Sequence, residues 1–322
     1  MYRQSLSPLR LPVFSAPMFL VSGPELVIAA CQSGIIGSFP TTNARPIDEL
    51  DRWMGRIREE LSRYRQAHPQ AVIAPWCANV ITHSSNSRIH EDLALIEKHQ
   101  PPVVVTALGS PKPVLDVVHG YGGLVIADVV NLTLARKAAE AGADGLACIS
   151  AGAGGHTGFL SPFAFISAVR SFFGGYLVVG GGIADGQGIA GALAAGADLV
   201  YMGTRFIPSV ESMATQAYKQ MVAASTIDDL VVSDRITGTQ ASWLKPSLIQ
   251  NGVDLETLEA PVARNYDGNQ SLGNRRWKSI WAAGQGLGVI DRIEPVSEIV
   301  DRLVKEFDEA CQNMQKRAMQ YS

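Results

Sequence analysis

Charge is what this sequence has least of. Asp, Glu, Lys and Arg make up 18% of its 322 residues, against roughly 25% in an average soluble protein. That shortfall excludes a solvated, disordered chain and a charge-faced coiled coil. With 47% hydrophobic residues, ample material is left for a buried core. Neither sign dominates: 27 basic and 30 acidic residues give a net charge of −3. With no basic stripe, a nucleic-acid partner is not expected. Cysteine is scarce and dispersed. Cys31, Cys77, Cys148 and Cys311 form no CxxC pair, so neither a disulfide framework nor a metal site is expected, and a reducing, cytoplasmic setting is. The opening residues MYRQSLSPLRLPVF lack the continuous apolar core of a secretory signal. One uncharged stretch, Gly145 to Val169, is long enough to span a bilayer, but its glycines, Pro162 and His156 would leave a lipid-facing helix broken and polar. It is read as loop and site, and no membrane span is expected.

What is present is glycine and rhythm. Thirty-one glycines fall largely in tight clusters, the pattern of backbone that approaches a ligand. Eight apolar runs recur along the chain: VFSA (13–16), IIGSF (35–39), VIAPWCA (72–78), VVVTAL (103–108), LVIAD (124–128), LACIS (146–150), YLVVGG (176–181) and LVYMG (199–203). Helical patterns lie between them, and continuous apolar strands alternating with amphipathic helices predict a covered parallel sheet. Ala-Gly-Ala-Asp occurs at 141–144 and again at 195–198. Each copy ends a helix and leads into a strand, and the spacing matches two βα units. Eight units without a ninth favour an α/β fold of the closed (β/α)8 TIM barrel type over an open doubly wound sheet. After the eighth run the rhythm stops. Residues 1–222 and 284–322 are expected to form the barrel, and 223–283 a small, mostly helical inserted lid domain.

In such a barrel the chemistry sits where strands end. The seventh run leads into Gly180-Gly181-Gly182-Ile183-Ala184-Asp185 and the eighth into Gly203-Thr204-Arg205. Backbone N–H groups unobstructed by Cβ, beside a helix N-terminus, suit a phosphate. Glycine-rich turns needed only for packing are the alternative. No dinucleotide fingerprint is present: Thr157, Asp185 and Val289 stand where a third glycine would be needed, and there is no P-loop. A phosphorylated flavin or a phosphosugar stays open. The sixth run leads into Ala151-Gly152-Ala153-Gly154-Gly155-His156-Thr157-Gly158, where a histidine between glycines can approach a ligand and transfer a proton near neutrality. His68, His83, His90, His99 and His119 lack metal-ligand spacing and are read as structural, although His83 and His90 are spaced to share a helix face. Ala16-Pro17-Met18 offers a stiff turn and a pliable apolar surface for a ring. Asn79, placed just beyond the third strand, offers a donor and an acceptor to a heterocycle.

SAPM (15–18), AGAGGHTG (151–158), LVVGGGIADGQGIAGALAAGADLVYMGTRF (177–206), ITGTQASWLKPSL (236–248) and WAAGQGLGVI (281–290) together resemble the nitronate monooxygenase family, formerly called 2-nitropropane dioxygenases. The resemblance covers most of the chain. It implies an FMN-dependent oxidoreductase that oxidises nitronates or nitroalkanes with O2 to a carbonyl compound and nitrite, on a TIM barrel with an inserted domain over the flavin. It further implies Ala16, Pro17, Met18 and Asn79 against the flavin ring, and Gly181, Gly182, Ile183, Gly203 and Thr204 on the FMN phosphate. Gly154 and Gly155 would let the loop approach the ring, and His156 would be the catalytic base. Some relatives carry a lysine where this chain has Asp128, and an acid in place of a cation alters the local potential at the cofactor. The histidine loop reads Gly-Gly-His-Thr-Gly where Ala-Gly-His-Pro-Gly is expected. The same scaffold resembles FMN-dependent enoyl-acyl-carrier reductases and quinone reductases, for which NAD(P)H would be the electron donor. A flavin-free phosphosugar isomerase or aldolase barrel and a non-catalytic flavin-binding module are the other readings.

Overall fold

Valine and isoleucine crowd the eight apolar runs because those strands are buried on both faces. In the run Val103-Val104-Val105, the outer pair faces inward with Phe14, Ile126, Val178 and Tyr201. Val104 faces outward into a layer built from Leu50, Met54, Ile57, Ile96 and Val114. Two-residue periodicity thus separates a barrel interior from a helix-facing shell. The computed structural model describes residue 6, residues 8–254, residue 256 and residues 278–321.

Eight parallel strands close the barrel: β1 (Val13–Ser15), β2 (Ile36–Pro40), β3 (Trp76–Ile81), β4 (Val103–Ala107), β5 (Leu124–Val129), β6 (Gly145–Ile149), β8 (Tyr176–Gly180) and β9 (Leu199–Met202). Each overlaps one of the eight runs, most within a residue, although β3 starts only at Trp76 of the 72–78 run; β1 pairs with β9 to complete the ring. The helices between them are α1 (Pro24–Gln32), α2 (Ile47–Ala67), α3 (Ile89–His99), α4 (Lys112–Gly120), α5 (Leu132–Ala141), α6 (Pro162–Arg170) and α7 (Gly186–Ala194). In α2 the apolar stripe Leu50, Met54, Ile57, Leu61 is buried and Asp48 and Glu49 sit in the first turn. Beyond β9 come α8 (Gln216–Ala224) and, at the end of the chain, α10 (Val296–Ala318), whose Val296, Ile299, Val300 and Leu303 join the core. Among the described residues no helix is long and apolar enough to cross a membrane.

The repeated Ala-Gly-Ala-Asp has a structural reason. Gly142 and Gly196 take φ of +101° and +109°, which L side chains rarely adopt. The aspartate that follows then joins a neighbouring strand. Asp144 donates its N–H to the Val125 carbonyl (2.9 Å) and accepts the Val125 N–H on Oδ2 (2.8 Å). Asp198 repeats both bonds with Leu177 (2.8 and 2.8 Å). The motif is a staple between helix end and adjacent strand, used twice.

The segment expected to be an inserted, mostly helical lid is described over part of its length. There it forms β10 (Leu230–Ser233), β11 (Ala241–Leu244) and the short helix α9 (Lys245–Gln250). Residues 257–277, including the turn-rich NYDGNQSLGNRR stretch, lie outside the described residues. β11 pairs on one side with β10 and on the other with β7 (Gly155–His156), a two-residue strand that belongs by sequence to the barrel. Behind this sheet Ile236, Ala241, Trp243, Leu248, Ile280 and Ala282 form a separate small core. A buried ion pair ties the last barrel strand to the C-terminal segment: Arg205 reaches Glu294 at 3.3 Å and also donates to the Val289 carbonyl (3.3 Å). Arg302 approaches the same carboxylate from outside.

Candidate active site

The carboxyl ends of the strands surround one cavity of about 2100 Å³, and every candidate site residue lines it: Ala16, Pro17, Met18, Asn79, Asp128, Gly154, Gly155, His156, Gly181, Gly182, Ile183, Gly203 and Thr204. The turn after β1 is fixed by Asn43. Its side-chain amide donates to the Met18 carbonyl (3.0 Å) and the Ser22 carbonyl (2.8 Å), and its oxygen accepts the Leu20 N–H (2.8 Å). This presents Met18 to the adjacent lip after β9. A Cβ on Gly203 would lie 3.5 Å from Met18 Sδ and 3.8 Å from Ala16 Cβ. Asn79 stands within β3 and not beyond it, buried, with a single long contact to the Val105 carbonyl (3.4 Å). His83 also lines the cavity but lies outside α3, so it does not share a helix face with His90.

The glycine loops divide between two tasks. Gly181 and Gly182 have φ of +144° and +70°, and a Cβ on Gly181 would meet the Ala151 carbonyl oxygen at 2.5 Å. The first turn of α7 is already engaged: Gly188 N–H binds Asp185 (2.7 Å) and Gly186 N–H binds Glu306 of α10 (3.0 Å). An anion in this corner would therefore meet the Gly181–Ile183 loop and Gly203-Thr204, not the helix end. Gly154 has a packing role. A Cβ there would fall 2.7 Å from Gly284 N, and one on Gly284 would fall 2.5 Å from the Gly152 carbonyl oxygen. Two backbones cross with no room for a side chain, which is why the 151–158 and 281–290 segments are both glycine-rich. Thr204 Oγ1 accepts the Gly284 N–H (2.8 Å), fixing the same crossing to the β9 lip.

Two polar atoms on the floor lack partners. Asp128 Oδ1 and the Tyr201 hydroxyl are buried and make no hydrogen bond. Burial pushes the Asp128 carboxyl up to about 8, and burial with the charge of Asp128 raises the Tyr201 phenol well above its usual value. A protonated carboxyl and a phenol are two donors facing the cavity. The sign for stability follows. The unfolded chain ionises Asp128 near its ordinary 3.8 while the folded chain holds the proton to about 8. Unfolding therefore releases a proton across that window, and stability falls as pH rises. Asp128→Asn removes the effect: thermal unfolding should show equal stability with the parent near pH 4 and a more stable variant at pH 8. An unchanged pH profile would mean that Asp128 ionises normally in the folded protein.

His156 stands on β7 beneath the insert, opposite Ala241 in register. Thr157 N–H donates to the Gln240 carbonyl (3.1 Å) and its hydroxyl to the Ser150 carbonyl (3.0 Å), while Gly155 on the other side pairs with Ser242, so the histidine is held on both flanks. Burial lowers its pKa from the model-compound value of 6.5, favouring the neutral imidazole. Beside it Thr239 Oγ1 and Gln240 Oε1 are buried without partners among the described residues, on residues that line the cavity. Tyr201, Thr239, Gln240 and Asn43 were not singled out by sequence reasoning. A polar Thr-Gly-Thr-Gln run between two short strands was the one signal available for the insert pair.

The sequence model of the nitronate monooxygenase family matches residues 2–306. A nitronate monooxygenase of Paraburkholderia phytofirmans is 26% identical over 95% of this chain and 95% of its own. A (3aS,4S,5R,7aS)-5-hydroxy-7a-methyl-1-oxo-octahydro-1H-indene-4-carboxyl-CoA dehydrogenase of Rhodococcus jostii is 26% identical over 84% of this chain and 73% of its own. Among solved structures, FabK from Thermotoga maritima superposes with a TM-score of 0.77 at 25% identity, covering 96% of both chains. The nitroalkane oxidase of Streptomyces ansochromogenes shares the fold, with a TM-score of 0.79 at 22% identity over 96% of this chain and 98% of that one. A barrel closed by eight parallel strands, a histidine held over its mouth and a family match along nearly the whole chain lead to one assignment: this oxidoreductase belongs to the nitronate monooxygenase family.

Proposed function

We propose that the protein binds FMN in this cavity and oxidises alkyl nitronates and nitroalkanes with O2 to a carbonyl compound and nitrite, with His156 as the base. The observation that carries the reading is His156 itself, a neutral imidazole pinned by β11 above a cavity whose floor holds unpartnered donors. The residues fit the cofactor. Gly181, Gly182 and Gly203, beside Ile183 and Thr204, leave backbone open to its phosphate, and Ala16, Pro17 and Met18 present a smooth lip to its ring. Asn79, Asp128 and Tyr201 have hydrogen-bonding capacity left for a heterocycle. FMN, when bound, would supply the electron acceptance and oxygen chemistry that no side chain here carries. Gly154 and Gly155 keep the base loop close to that ring.

On this reading the chain's own work is proton management. His156 takes the α-proton of a neutral nitroalkane, or orients a nitronate already formed, and the Thr239 hydroxyl can donate to an oxygen of the bound anion. Residues 223–283 act as the cover and residues 1–222 with 284–322 as the barrel. A second reading, an NAD(P)H-driven reductase, is supported by the cavity volume, which leaves room for a nicotinamide beside a flavin. A visible spectrum of the purified protein followed by anaerobic titration tests both. A yellow protein whose absorbance is lost on adding a nitronate supports the oxidase reading. Loss only with NADH or NADPH supports the reductase, and a colourless protein unable to take up FMN overturns both.

A further inference from the structure

Several of the large apolar side chains that this fold leaves exposed gather at one place. Phe159 is 79% exposed, and Phe19, Leu108, Val130 and Leu134 are exposed as well; all five line the cavity that holds His156. They come from separate stretches of chain: the loop after β1, the loop after β4, the loop and first turn that follow β5, and the loop after β7. Single exposed apolar residues are ordinary, whereas a convergent group on one rim marks a binding surface. Leu108 adds an independent sign. Its φ is +60°, in the left-handed region that a leucine avoids. The next residue, Gly109, is pressed so closely on Thr82 that a Cβ there would meet the Thr82 carbonyl oxygen at 2.6 Å. The loop is thus held in a strained shape that keeps an apolar side chain at the mouth, and strain of this kind collects at functional sites.

We propose that the substrate carries an apolar tail longer than the two or three carbons of the simplest nitroalkanes. Leu108, Val130, Leu134 and Phe159 receive that tail while the reacting group stands at His156. The inference rests on the reading of the site given above, and it concerns the non-reacting part of the substrate. The rim is continuous with the reaction cavity, so a tail bound there extends a molecule already placed by the polar groups below.

Two series measured on the holoenzyme test it. Straight-chain carboxylates from butanoate to decanoate are unreactive stand-ins for nitronates, with the same planar pair of anionic oxygens. Calorimetric titration should show affinity rising about threefold to fourfold per methylene before a plateau. In the second series, kcat/KM for the nitronates of nitroethane through 1-nitrooctane should rise in parallel. Leu108→Gly should lower the ratio of long-chain to short-chain kcat/KM without lowering the melting temperature, because glycine adopts this φ without strain. Phe159→Ser should lower the same ratio. Flat dependence in both series, or slopes unchanged in both variants, overturns the tail site. Rising carboxylate affinity with no nitronate turnover at all would overturn the proposed reaction and support the tail site.

Discussion

On the proposed reading, replacing His156 with Asn should lower turnover of a neutral nitroalkane by about 10²–10⁴-fold, and turnover of the preformed nitronate by much less. The range is what a positioned proton acceptor typically contributes. Asparagine keeps the size and hydrogen bonding of the side chain but cannot accept the α-proton, so the substrate that still carries that proton suffers most. The strand survives the change, because β7 is paired with β11 through backbone at Ala241 and Ser242. The pH profile adds a second check. Burial lowers the pKa of His156 from 6.5, so the free-base form persists below that value. In the parent enzyme kcat/KM for the neutral nitroalkane should stay level as pH falls through 6.5 and decline only further down. Steady-state kinetics on the two substrate forms, over a pH series, decide the matter. Equal losses on both forms would assign His156 to positioning, and no loss would remove it from the chemistry.

Glu294→Ala should destabilise the protein by about 3–5 kcal/mol, the range found when one partner of a buried ion pair is removed. Arg205 is 3% exposed and Glu294 7%, so neither charge is solvated. Without the carboxylate, Arg205 would keep the Val289 carbonyl at 3.3 Å and face the positive charge of Arg302 with nothing between. Burial and Arg302 already pull the Arg205 pKa down. The pair joins the end of β9 to the segment leading into α10, so the loss should appear as lower global stability in urea unfolding. Replacing both partners, Arg205→Met with Glu294→Leu, should recover most of it, since apolar residues of similar volume need no counter-charge. A single-variant loss below about 1 kcal/mol would be the value of a surface pair and would mean that water reaches Arg205.

The barrel was legible because each of its eight strands overlaps a mostly apolar run, buried on both faces, and each run is followed by a turn or helix signal. The small sheet was not legible. β7 has two residues and β10 and β11 four each, too short for alternation to stand out, and the partner of β7 lies far along the chain. Pairing of that kind is set by tertiary packing around Trp243, not by local preference. The site shows the same division. Glycine loops and a flanked histidine announce themselves by composition, and the cavity gathers all of them. Tyr201 did not, because within LVYM it reads as one more core aromatic, and only the closed ring turns its hydroxyl toward Asp128. Gly154 was legible as a residue whose lack of a side chain matters. Its reason, the crossing with Gly284, needed the three-dimensional path.

The antiparallel ladder between β7 and β11 joins two functions that are separable in many barrels. His156 belongs to the barrel by sequence and to the insert by hydrogen bonding. Lengthening, shortening or reorienting the insert therefore moves the imidazole along with the wall that selects what enters. On the proposed reading, admission and basicity are tuned together: a new cover is also a new placement of the base. Grafting an insert from a relative onto this barrel would succeed only if its strand offers the same two-residue register to Gly155 and His156.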